Sequence, residues 1–179
     1  MRQPHKLVWI SDDMNRTKRY KLAHYELLAL TLFTVLNFIP VLFGSVATLL
    51  FTASVPRFLA EQTYLLIHYP TYIIEPAALA ADSSLPVILS VFCVAAAVLL
   101  TLLYFFAWLG SKTRGGWLIA ACIALAADSV FLFFSVNDIF DIINIAFHLW
   151  FLFDQVCAII SWLLLRRDGN TVVETYFFY

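Results

Sequence analysis

The chain has 179 residues, of which 63% are hydrophobic, 17% aromatic and only 13% charged, with a formal net charge of −1. Soluble domains carry about 25% charged and 45–50% apolar residues, and a chain this short cannot hide such a surplus in one small core. The composition excludes a soluble globular domain, a nucleic-acid binder and a disordered tail, and it requires lipid as the solvent for most of the chain.

Residues 1–24 form a basic segment carrying Arg2, Lys6, Arg16, Lys18, Arg19 and Lys21. It is too long for a secretory signal, includes Asp12 and Asp13, and is followed by no small-residue cleavage site, so a retained anchor is expected. Ser11 with the two acids behind it reads as a helix start, a cap followed by negative charge in the first turn. A first span is expected over 25–53, kinked at Pro40, whose ring removes one helical hydrogen bond and frees the carbonyl near Leu36. Thr31, Thr34 and Asn37 give it a mildly polar strip, continued by Gly44, Ser45, Thr48 and Thr52.

Residues 54–85 neither span nor read as a flexible loop. Pro56, Pro70 and Pro76 break an apolar stretch rich in Tyr64, Leu65, Leu66, Ile67, Tyr69 and Tyr72, too short to cross about 30 Å of hydrocarbon. An interfacial or re-entrant helix is expected there, either a cap over the bundle or a segment lying in the headgroups. Three further spans follow at 86–109, 117–136 and 142–165, joined by a turn at 110–116 and a tighter one at 137–141, with a tail over 166–179. Such short connections make the last three spans antiparallel neighbours. The tail ends in an apolar Thr-Tyr-Phe-Phe-Tyr, expected to fold back onto the membrane or a partner. The fold class is therefore an all-α membrane protein, a four-transmembrane-helix bundle with an outer segment between helices one and two.

Ten of the eleven basic residues fall on one side of this arrangement and only Arg57 on the other. The excess of Lys and Arg marks the cytoplasmic side, so both termini are expected inside, in the plasma membrane. Trp108, Trp117 and Trp162 cluster near that interface as an aromatic belt.

An ionisable group deep in a span is costly and is a functional hypothesis by default. Asp128 lies roughly 16 Å above Trp117 and Asp154 roughly 17 Å above Leu165 at 1.5 Å per residue, so the two carboxyls reach a similar depth. Ala120, Ala124 and Asp128 recur every four residues on one small stripe, and Asp154, Ala158 and Ser161 form a comparable face. A second stripe carries Asp141, Asn144, His148 and Gln155 down from the outer surface. Ser90, Cys93, Ala97 and Thr101 supply a small face on the second span.

Two carboxyls in low dielectric cannot both ionise cheaply and can share a proton. With Asn37, Asn144, His148 and Gln155 around them, Asp128 and Asp154 are the candidate ion- or substrate-binding residues. The expected function is a small transporter or an ion- or proton-coupled subunit for a small solute or cation. The alternative is a structural or regulatory membrane subunit whose polar residues only fix helix packing. Catalysis is disfavoured: the aspartates lack the motifs of intramembrane aspartyl proteases, and no Gly-rich phosphate loop, nucleophile elbow or zinc motif occurs. Cys93, Cys122 and Cys157 read as small hydrophobes in the spans, and isolated His148 offers no paired haem ligation, so no metal or cofactor is expected. The expected partners are the lipid bilayer and a homo-oligomer or larger membrane complex.

Overall fold

A computed structural model describes residues 5–44, 51–136 and 139–167, with the backbone alone described for 5–14 and Leu42. All regular elements among them are helical: α1 (His5–Leu42), α2 (Ser54–His68), a short 3-10 turn (Pro70–Tyr72), α3 (Pro76–Ala81), α4 (Leu85–Ser111), α5 (Gly116–Phe134) and α6 (Ile139–Arg167). Four of these are long and apolar enough to cross a membrane: Asn15–Val41 within α1, then α4, α5 and α6. The Ser45 and Thr48 part of the first-span strip, Asn137 and Asp138 of the second turn, and the tail beyond Arg167 lie outside the described residues.

The first span differs from expectation at both ends. Helix α1 is already continuous at His5, so Ser11 is inside it and not at its start. At the other end it stops at Leu42 instead of reaching Ala53, two residues past Pro40. The proline terminates this helix where a kink was expected. The N–H groups of Phe43 and Gly44 fall back to Pro40 and Val41 at 3.1 and 2.9 Å, the tightened last turn of a closing helix. Gly44 then takes φ 71°, and a Cβ there would collide with the Tyr64 ring of α2.

Because α1 ends early, the chain is back inside the bundle by residue 53. The Ala53 N–H donates to Thr34 Oγ1 at 2.9 Å, and Ala53 itself is fully buried against α1. Helix α2 thus begins inside the bundle, packing most extensively on α4 and also on α1 and α5. Its buried positions, Ser54, Pro56, Ala60, Thr63 and Leu66, are small or apolar, which lets it approach its neighbours closely. Phe51, just before it, adopts a left-handed φ of 65° and is held by Phe147, Phe33 and Phe151, the nearest ring centroid 3.7 Å away. Asp82 accepts from both the N–H and hydroxyl of Ser84, which holds its carboxyl below the usual range and sets the chain's entry into α4.

One buried stripe per long helix makes the core. On α1 it runs through Tyr20, Ala23, Leu27, Leu30, Thr34 and Val41; on α5 through Leu118, Ala121, Leu125, Asp128 and Leu132. The α5 seam is therefore centred one position round from Ala120 and Ala124, which are only half-buried. Ser90, Ala97 and Thr101 face inward on α4, while Cys93 is half-buried. The three cysteines are unpaired.

One end of the bundle is closed by tryptophans. Tyr20 donates its hydroxyl to Ser111 O at 2.6 Å, His24 pairs with the Ser111 hydroxyl at 2.8 Å, and the His24 ring stacks on Trp108. Lys112 sits over Trp108 and Arg166 over Trp162. Gly115 lies directly against the Trp162 indole, whereas a Cβ on Gly116 would meet nothing within 4 Å. Gly115→Ala should displace Trp162 and cost about 1–3 kcal/mol, with Gly116→Ala close to neutral. Thermal unfolding of the two variants in detergent micelles reads this difference directly.

Candidate polar site at the buried start of α2

A helix that begins in a protein interior exposes up to four N–H groups with no partner of their own. At α2 the residue before the helix is Ala53, whose side chain cannot cap, and no local side-chain cap is made. The third helical residue is Pro56, which has no N–H to satisfy. The remaining two are taken by one distant carboxylate: Ser54 N–H donates to Asp128 Oδ2 and Val55 N–H to Asp128 Oδ1, both at 2.7 Å. The negative carboxylate also faces the positive end of the helix dipole. Asp128 is only 3% exposed, so these bonds form with little competition from solvent.

Helix α6 completes the arrangement. His148 is fully buried; its Nε2 lies 3.0 Å from Thr52 O, and its Nδ1 lies 3.2 Å from Ser129 Oγ and 3.6 Å from Asp128 Oδ2. The Ser129 hydroxyl already donates to Leu125 O at 2.6 Å, so it turns lone pairs toward the imidazole. His148 therefore has an oxygen within reach of each ring nitrogen. Beside a carboxyl fixed by two backbone N–H groups, the imidazole helps to hold the chain on both sides of Ala53.

Asn144, one turn from His148, points its amide nitrogen at Thr52 O and Ser54 Oγ, each at a long 3.5 Å. Its Oδ1 is buried without a hydrogen-bond partner among the described residues. Further along, Arg57 bonds Glu61 at 2.9 Å and reaches Asp141 at 3.6 Å, joining α2 to the start of α6. Asp141, Asn144, His148 and Gln155 all lie on the buried face of α6. Gln155 is two turns from His148, where its Nε2 donates to Ala23 O at 2.9 Å and ties α6 to α1. Asn37 is buried on α1 one turn beyond Thr34.

The two aspartates take different partners. Asp154 is half-buried and accepts from the Trp150 indole N–H at 2.7 Å, and its other neighbour is Glu26 of α1. The carboxyl beside Asp154 is thus Glu26, which the sequence reading passed over because it placed the start of the first span at Tyr25. With the candidate span beginning at Asn15, Glu26 sits well inside it. The missed signal was the helical continuity of the basic segment into the span. Also absent from that reading were the backbone of Thr52 and Ser54 and the Arg57–Asp141 contact. Among the described residues no three His, Cys, Asp or Glu side chains converge as a metal site would require.

Comparison of the chain with protein-family models, with curated proteins and with solved structures finds no match.

Asp128→Asn places an amide NH2 against one of the two α2 N–H groups and removes the charge opposite His148. It should cost about 2–4 kcal/mol, whereas Asp154→Asn, half-exposed, should cost under about 1 kcal/mol. Chemical unfolding of the micellar protein, followed by tryptophan fluorescence, compares them. Thr34→Val, which deletes the acceptor for Ala53 N–H, should fall between, at about 1 kcal/mol.

Proposed function

We propose that this is a four-span membrane protein, with both termini on the cytoplasmic side of the plasma membrane, that serves as a structural or regulatory subunit of a membrane assembly. In this reading α2 is a re-entrant helix, and the polar residues of the core exist to seat it. The observation that carries the proposal is the commitment of both Asp128 oxygens to the first N–H groups of α2. A cation-binding carboxylate needs lone pairs facing a cavity, and here backbone and His148 take them. Broken helices in transporters direct their N-termini at anionic substrates. In this chain the same place is filled by the protein's own carboxylate, which favours a fixed element over a loading site. The orientation rests on the ten basic residues at the α1 start, the α4–α5 turn and the α6 end.

A second reading, coupling to a proton or small cation through Asp128 and His148, draws on one observation. Asn144 Oδ1 is a buried acceptor with no hydrogen-bond partner among the described residues, one turn from His148.

Purified protein in liposomes separates the two. The structural reading expects no proton or alkali-cation flux above protein-free vesicles, and Asp128→Asn lowering stability without changing any flux. A wild-type flux abolished in a folded Asp128→Asn variant overturns it in favour of coupling. Single cysteines introduced at Thr113 and at Ser83, in a background lacking the three native ones, should be labelled from the cytoplasmic and outer sides respectively. Labelling of both from one side would remove the four-span topology.

A further inference from the structure

Helices α4 and α6 end on the same side of the bundle, and they end with the same short pattern. Trp108-Leu109-Gly110-Ser111-Lys112 closes α4 and Trp162-Leu163-Leu164-Leu165-Arg166 closes α6, so each places a cation four residues after a Trp-Leu pair. That spacing stacks the cation over the ring. Lys112 Nζ lies 4.8 Å from the Trp108 ring centroid, and the Arg166 guanidinium carbon lies 5.7 Å from that of Trp162. Gly115 lies directly against the Trp162 indole, which sets the end of α6 against the turn that follows Lys112. Leu109 and Leu163, three residues before each cation, share its helix face one turn deeper, and both are exposed.

The positive charge here has no internal counterpart. Lys18, Arg19, Lys112, Arg114, Arg166 and Arg167 are exposed, and none is bonded to a carboxylate among the described residues. Arg57, by contrast, is engaged by Glu61 and Asp141. A ring face accepts little from an N–H group, so the Lys112 ammonium and Arg166 guanidinium keep their donors for another partner. Both sit at the ends of candidate spans, the depth at which lipid phosphates lie. A partner with phosphate at one end and hydrocarbon at the other meets both halves of this surface. Guanidinium and ammonium groups bind phosphate oxygens, and the exposed leucines one turn deeper meet the chains. A soluble anion would leave the leucines unused. A zwitterionic lipid brings its own ammonium, which competes with Lys112 and Arg166 for the phosphate.

We propose that the C-terminal ends of α4 and α6 form a binding site for an anionic phospholipid, its phosphate held by Lys112 and Arg166 and its chains laid along Leu109 and Leu163. The site rests on the membrane placement proposed for the chain but not on the role assigned to Asp128. Cysteine labelling at positions 113 and 83 tests that placement separately.

The full chain in nonionic detergent, titrated with phosphatidylglycerol or with phosphatidylcholine of the same acyl chains and followed by native mass spectrometry, tests it. Saturable binding of phosphatidylglycerol is expected, with phosphatidylcholine about fivefold weaker. Lys112→Gln and Arg166→Gln should each weaken phosphatidylglycerol about fivefold. Lys18→Gln removes the same charge from the same end, where the cation lies over no ring, and should change affinity by less than about twofold. Equal losses in all three variants would mean diffuse attraction to a basic end and would overturn the site. So would equal affinity for the two lipids, or no saturable binding by the folded wild type. Soluble glycerol phosphate binding as tightly as the lipid would make this a free-phosphate site, and the lipid assignment fails. Should one variant not fold, the other and the two-lipid comparison decide the matter.

Discussion

Starting a helix in the middle of a packed bundle is costly, because its first N–H groups have no water to turn to. In this chain Asp128 resolves that cost for α2. A carboxylate on α5 accepts from two successive backbone N–H groups, and the next position is a proline with none to offer. Without this contact the chain between α1 and α4 would have unpaired polar backbone at its deepest point. The end of α1 just after Pro40 brings the chain to this point, and α2 then packs a small buried face closely on α4. His148 then secures the carboxylate and Thr52 O at once, making α6 part of the same lock.

Around that centre the polar residues divide by partner. One group, Asp128, His148, Thr34 and Asn144, meets the backbone of residues 52–55, with Ser129 against the His148 ring. Gln155 joins helix to helix through a single carbonyl. Asp154 lies on another face of α6, bonded to Trp150 and beside Glu26 of α1. A wide polar arc on one helix can therefore serve separate tasks, since 100° of rotation between neighbours such as Asp154 and Gln155 directs them to different surfaces.

Four long apolar helices were legible because apolar length and basic punctuation are local properties. The buried stripe of Asp141, Asn144, His148 and Gln155 was legible too, since spacings of three, four and seven place residues on one helix face whatever surrounds them. The partnership of Asp128 was not. Equal depth suggested Asp154, but depth along a helix says nothing about the direction a side chain takes around it. Nor could the sequence reveal that a carboxyl on α5 would cap a helix starting at Ser54, because the two lie 74 residues apart. Glu26 escaped notice for a different reason: the span's start was read from where apolar residues become dense, while the helix begins far earlier.

Composition and periodicity alone thus determine the class of this protein, four apolar helices with charge gathered at their ends and a few acids between. Those properties are sums and repeats along the chain, and lipid or water reads them residue by residue. Tertiary structure decided which acid meets which partner, where α1 stops and how deep α2 begins. These depend on pairs of groups brought together from different helices. The competition for each buried N–H is settled only when a specific carboxylate, hydroxyl or imidazole arrives within hydrogen-bonding distance.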